Sequence, residues 1–220
     1  MKEFRTLTAS DVEVRIGNQK KNEAGKVIGY SLLLYKNARV DMQVLSMTLG
    51  VENWMRKHTE IAGNVYCSVG IRTDNGEWIW KEDCGYCQSS NGEMASKGTA
   101  SDSFKRACVN WGIGTELYTA PFIWLNSSDT TARYEVSEME VSKDKVITRL
   151  VIVNSKDKSV VFSFSAGTTP ILDQARKLRT ADEVLKLYEE NQEAIEADNF
   201  IKEQIVALGK ELRAKEKAAA

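Results

Sequence analysis

"KGTASDSFKRACVNWGIG", Lys97 to Gly114, decides how this chain folds. Ala100, Phe104, Ala107, Cys108 and Trp111 fall at i, i+4, i+7, i+8 and i+11, a single apolar stripe on a helix. Gly112 and Gly114 permit the close turn that ends it, and Ser96 and Thr99 both qualify as its N-cap. A helix with one apolar stripe needs a surface to bury it against, and the residues just upstream supply a sheet. Runs 54–61, 65–73 and 77–86 read as strands, separated by Ala-Gly-Asn and Asp-Asn-Gly turn signals, which predicts an antiparallel meander. In the middle run Val65, Cys67, Val69 and Ile71 alternate with Tyr66, Ser68, Gly70 and Arg72, the period of a sheet with one buried face. The third run places Trp78 and Trp80 on one face.

Further upstream, residues 12–17 (VEVRIG) and 30–35 (YSLLLY) read as a hairpin joined by a polar loop, GNQKKNEAGKVIG, with three glycines and three lysines. Ala38, Met42, Leu45 and Leu49 then lie at helical spacing, and Gly50 stops the helix. Downstream of Pro121, runs 134–141, 146–153 and 159–165 alternate like strands and are divided by SKDK and NSKDK turns, a small β-meander. From Thr169 the pattern is helical. Pro170 suits a first turn, Thr180 with Glu183 forms a capping box, and Phe200, Ile201, Ile205, Leu208 and Leu212 make an apolar stripe. The expected fold class is α+β: an antiparallel hairpin and a three-stranded meander packed on a long helix, followed by a small β-meander and C-terminal helices. The corresponding regions are 1–125, 126–168 and 169–220.

Composition bounds the function classes. Hydrophobic residues make up 42% of the 220, ample for a core. No segment approaches the roughly 20 apolar residues that span a bilayer, and the first ten residues lack the apolar region of a secretory signal, so a cytoplasmic protein without a membrane partner is expected. Cys67, Cys84, Cys87 and Cys108 are expected as reduced thiols. Net charge is −1, and residues 1–125 carry 15 Lys/Arg against 14 Asp/Glu. Bulk charge does not announce a nucleic-acid partner, so any basic site must be gathered locally.

Catalytic motifs fail one by one. GNQKKNEAGKV has the wrong glycine spacing for a phosphate loop, and Lys26 is followed by Val27 where Ser or Thr would hold magnesium. Gly112-Ile113-Gly114 ends a helix and does not open one, contrary to a dinucleotide fingerprint. Cys84 and Cys87 form a CxxC without the second pair that a zinc site wants, so two unlinked thiols are expected and no metal. His58, the one histidine, is expected in solvent. Glu82 and Asp83 are strand neighbours on opposite faces, poorly placed to share acid/base work. No enzyme and no cofactor are expected. What remains is Lys105 and Arg106, off the apolar stripe, with Lys97 two turns earlier and Lys20 and Lys21 in the hairpin loop. Singly these are ordinary solvated charges. Gathered on one surface with Tyr35 and exposed aromatics, they would suit a single-stranded nucleic acid.

The segments "GEWIWKEDCGYC" and "KGTASDSFKRACVNWGIGTELY", with "VEVRIG", "LLLYKNARVDMQVLSMTLGVENW" and "GNVYCSVGI" upstream, resemble the single-strand annealing proteins of the Rad fifty-two superfamily, especially the Sak-type members of phages and prophages. The likeness covers roughly residues 8–125. It implies a β-β-β-α core that assembles into rings or helical arcs, with single-stranded DNA in an outer groove where a complementary strand pairs without ATP, in recombination and repair in a bacterial cytoplasm. It implies that Lys105 and Arg106 line the floor of that groove, joined by Arg15, Tyr35 and Lys97. Val109 and Thr115 stand where relatives carry basic residues, which shifts the expected grip toward Lys20, Lys21 and Lys97. The helices after 169 are expected either to pack on the core or a neighbouring subunit, or to dock a single-strand binding protein. Two other readings stay open: a module that binds duplex or protects DNA ends without annealing, and a metal-dependent nuclease using Glu82 and Asp83.

Overall fold

The computed structural model describes residues 3–86, 92–167 and 169–219. Its elements are β1 (Glu13–Lys21), β2 (Val27–Tyr35), α1 (Ala38–Leu49), β3 (Trp54–Ile61), β4 (Asn64–Arg72), β5 (Trp78–Cys84), α2 (Gly92–Asn110), β6 (Ile123–Leu125), β7 (Tyr134–Val141), β8 (Ile147–Asn154), β9 (Val160–Ser165) and four helices, α3 (Thr169–Ala175), α4 (Ala181–Glu190), α5 (Gln192–Glu196) and α6 (Asn199–Ala219). The class is α+β and the sheets are antiparallel, as the periodicities predict.

The alternation in β4 is realised only in part: Ser68 and Gly70, on the face that the pattern leaves to solvent, are buried too, with the Trp80 ring lying over Gly70. Cys67, Val69 and Ile71 are buried against Phe104, Ala107 and Cys108 of α2 and Trp111 just beyond its end, and the Trp111 indole N–H donates to the Val69 carbonyl at 3.0 Å. Trp54 stacks on Phe104, ring centroids 6.2 Å apart. The helix starts at Gly92, so Ser96 and Thr99 lie within it and neither caps it. Where β5 ends, α2 crosses so close to Gly85 that a Cβ there would lie 2.1 Å from the Thr99 carbonyl oxygen and 2.6 Å from the Ser103 nitrogen. The obstacle is backbone on both counts, so neither side chain can yield. Gly85→Ala is expected to lower the melting temperature by about 3–10 °C, read by calorimetry.

Two further readings of the sequence need correcting, and one strand is added to them. Residues 17–29 are not a long loop: β1 continues to Lys21, β2 begins at Val27, and a tight turn closes on Asn22, whose side chain accepts from the Lys26 N–H at 2.9 Å. Polar residues mislead here because this end of the ribbon is wet on both faces. In α1 the buried residues are Val40, Asp41, Val44 and Leu45, while Met42 is exposed. The helix is rotated toward a buried charge that an apolar pattern cannot register. The strand β6 carries no alternation long enough to be read.

One six-stranded sheet runs in the order β6-β2-β1-β7-β8-β9, and a second is β3-β4-β5. The β7–β9 meander thus continues the hairpin's sheet through the pair Glu13 and Glu135, and Val136, Ile147, Leu150 and Ile152 enter the same core as Tyr30, Leu32 and Phe104. The helices after residue 169 bury a separate core of Leu172, Val184, Leu187, Ile195, Ile201 and Ile205, with the Thr180–Glu183 capping box present. Arg149 of β8 meets Asp198 at 3.3 Å and ties this unit to the sheet. Among the described residues no helix is long and apolar enough to cross a membrane.

Candidate nucleic-acid interface

In an antiparallel ribbon, residues that face one another across the strands share a face. Glu13 pairs with Tyr35, Arg15 with Leu33, and Lys20 with Gly29. The first two pairs have the regular offset; a bulge between Ile16 and Gln19 adds one residue to β1, braced by the Asn18 N–H on the Ser31 hydroxyl at 3.0 Å. Without that extra residue Lys20 would project from the opposite face. Tyr30 and Leu32 point the other way, into the core.

At the mouth of the ribbon the Tyr35 hydroxyl donates to Glu13 at 2.6 Å, and the Asn37 amide donates to the other carboxylate oxygen at 2.8 Å. The Asn37 and Tyr35 hydrogen bonds hold the Glu13 carboxyl below its ordinary range, and the same carboxylate pushes the Tyr35 phenol up. Tyr35 is therefore fixed as a neutral ring, with the Arg15 guanidinium 5.9 Å from its centroid. Opposite stands α2, where Lys97, Ser101 and Lys105 follow one another at successive i, i+4 positions on one face. An open cleft of about 590 Å³ lies between the two, lined by Arg15 and Tyr35 on one side, Gly98, Ser101, Asp102 and Lys105 on the other, and exposed Tyr86.

Lys105 also lines a neighbouring recess of about 250 Å³ with Arg106, Val109 and exposed Tyr118. Both cations have carboxylate neighbours: Lys105 lies 3.8 Å from Asp102, and the Arg106 guanidinium donates to Asp83 at 3.3 Å. Surface pairs of this kind contribute about 0–1 kcal/mol, so a phosphate can displace them at little cost. Val109 leaves an apolar gap beside Arg106, and Thr115 begins the 3-10 turn Thr115–Thr119. Lys97 is exposed on α2; Lys20 and Lys21 are exposed near the far end of the ribbon, about 15–20 Å from Arg15 along the strand. The structure thus brings Arg15, Tyr35 and Lys105 onto one cleft, sets Arg106 beside it and Lys97 on its helix, and keeps Lys20 and Lys21 apart.

Beneath the cleft lies a feature that the sequence pattern does not reveal. Lys36 and Asp41 are both buried, and the Lys36 ammonium donates to the Asp41 carboxylate and, at 3.4 Å, to the backbone carbonyl of Lys105. Burial pushes the Asp41 carboxyl up to about 6 even though Lys36 pulls it down. A Cβ on Gly114 would lie 2.4 Å from the Lys36 Cε, and Gly114 has φ +76°, so this glycine both turns the chain and makes room for the lysine stem. No sequence signal marks the pair: a lysine before a helix and an aspartate in its first turn read as ordinary solvated charges.

Other candidates resolve simply. His58 is exposed, but its Nε2 lies 3.0 Å from the Ala100 carbonyl, so it meets α2 as well as solvent. Glu82 accepts from the Ser68 hydroxyl at 3.0 Å and Asp83 faces Arg106, on opposite sides of β5. Cys67 and Cys108 are buried thiols, Cys84 is free, and Cys87 lies outside the described residues, as does its part of the CxxC. Among the described residues no three His, Cys, Asp or Glu side chains converge to hold a metal ion.

The sequence model of the Rad52/22 family double-strand break repair protein matches residues 7–136, a span that contains Arg15, Lys20, Lys21, Tyr35, Lys97, Lys105 and Arg106. No curated protein and no solved structure matches the chain.

Proposed function

Because this chain belongs to the Rad52/22 family of double-strand break repair proteins, we propose that it binds single-stranded DNA along the cleft between the β1–β2 ribbon and α2 and anneals complementary strands without ATP or any cofactor. The observation that carries this reading is the convergence of Arg15 and Tyr35 from the ribbon with Lys105 from the helix on one open cleft, with Arg106 and Lys97 alongside. Cations grip the backbone there, and an open cleft leaves bases free to pair. In this reading the protein is not an enzyme; it acts as a homo-oligomeric ring or arc in recombination and repair, in the bacterial cytoplasm, as the product of a phage or prophage. A nuclease built on Glu82 and Asp83 is disfavoured by their opposed directions.

The test is pairing of two fluorescently labelled complementary oligonucleotides in the absence of nucleotide. Acceleration over the protein-free rate is expected; binding without acceleration would overturn annealing in favour of an end-protecting or duplex-binding module. The C-terminal helices we assign to docking of a single-strand binding protein, through an apolar recess of about 210 Å³ between α4 and α6 that Leu185 and Val206 line and Lys210 and Arg213 rim. Leu185→Glu is expected to abolish co-migration with the host's single-strand binding protein in gel filtration; retained co-migration would rule this surface out.

A further inference from the structure

The outer face of the ribbon extends past the cleft. Strand β6 pairs with β2 through Ser31 and Trp124, so the Trp124 indole lies on the same face as Ser31, Leu33 and Arg15. Phe122, two residues earlier, points the same way and stacks on Trp124, centroids 6.4 Å apart and planes within 17°. The stack is built into the fold. A Cβ on Gly29 would lie 2.6 Å from the Trp124 ring, so the indole rests on bare backbone, and its N–H donates to Asn126 at 3.0 Å, which fixes its orientation. Phe122 is nevertheless 79% exposed, far more than an aromatic ring held for the core.

We propose that Phe122 and Trp124 form a base-stacking platform that continues the cleft along the ribbon, so that a single strand running from Lys105 past Arg15 reaches the platform and ends at Lys20. The inference rests on the cleft reading above and extends it. A flat aromatic stack bracketed by cations is the chemistry that holds single-stranded nucleic acid: rings take bases of any sequence, and cations take phosphates. Arg15 sits opposite Leu33 on one side of the platform, and the bulge in β1 sends Lys20 to the same face opposite Gly29, the residue under the indole. From Tyr35 to Gly29 the face is about 20 Å long, room for several nucleotides. The bulge thereby acquires a role: it turns Lys20 toward the strand that the platform carries.

Phe122→Ala in the full chain tests this, since so exposed a ring leaves the core untouched. On a labelled oligo(dT), the dissociation constant is expected to rise about 5- to 150-fold, the range for one base–aromatic stack, with the slope of log affinity against log salt unchanged because the variant keeps every charge. On an abasic oligonucleotide of equal length, wild type and variant should bind alike. Unchanged affinity for oligo(dT), or an equal weakening on the abasic strand, overturns the platform. A changed oligomer mass with unchanged affinity also overturns it, by making this face a contact between copies. A wild-type chain that binds no oligonucleotide would overturn the cleft reading as well, so the two failures are distinguishable.

Discussion

Lys36→Met is expected to destabilise the folded chain by about 3–5 kcal/mol, because it leaves the Asp41 carboxylate buried without its counter-charge. Asp41 is fully buried and Lys36 nearly so, and water reaches neither to compensate. Replacing both, as Lys36→Met with Asp41→Leu, should return most of the stability, since an apolar pair of similar volume removes the desolvation cost together with the attraction. Urea unfolding at pH 7.5 measures both variants; a destabilisation under about 1 kcal/mol in the single variant would contradict the burial of the pair.

The pH dependence carries its own sign. The Asp41 carboxyl stands at about 6 in the fold against an ordinary 3.8, so between those values the folded chain holds a proton that the unfolded chain has released. The stability this group contributes is full below 3.8 and is lost as pH rises through about 6. Without Lys36 the folded carboxyl moves higher still, and the deficit of Lys36→Met should shrink as pH is lowered from 7.5 to 5. Carboxylates such as Glu13 that stabilise the fold in the opposite sense act in both proteins and cancel in the difference. Because Lys36 also holds the Lys105 carbonyl, the double variant should fold yet hold the cleft wall less firmly.

Replacing Lys105 and Arg106 together with Ala should flatten the salt dependence of single-strand affinity by about 1.4 in log–log slope, roughly 0.7 for each phosphate that is no longer neutralised. Affinity at low salt should fall at least about tenfold, since hydrogen bonds to charged groups contribute more than neutral ones. Both side chains reach solvent, Arg106 at 49% exposure, and their carboxylate pairs lie at the surface, so stability should change by no more than about 1 kcal/mol. An unchanged slope, measured on oligo(dT) from low to moderate salt, would remove both residues from the interface.

Much of this architecture is legible from residue order. The stripe Phe104, Ala107, Cys108, Trp111 and the alternation Cys67, Val69, Ile71 are two halves of one packing surface, each with its own period, so each can be read alone. The Thr180–Glu183 box and the stripe around Ile201 and Ile205 are local for the same reason. What escapes is non-local or contrary to pattern. The ribbon's polar end hides a continued strand, and nothing in residues 134–165 says that they join the hairpin's sheet, because edge pairing through Glu13 and Glu135 leaves no periodic trace. Lys36 and Asp41 escape because a buried charge is written with the same letters as an exposed one. Of the interface, Lys105 and Arg106 stand out as cations off an apolar stripe, whereas Phe122 and Trp124 carry no sign of their exposure until the sheet's register places them on the outer face.

Hydrogen–deuterium exchange of the full chain with and without saturating oligo(dT) tests the central claim most directly. Slowed exchange is expected in the β1–β2 ribbon from Glu13 to Tyr35 and in α2 from Lys97 to Asn110, with β3, the outer edge of the second sheet, unaffected by DNA contact. Protection confined to β3 and the C-terminal helices, with the ribbon and α2 unchanged, would contradict it.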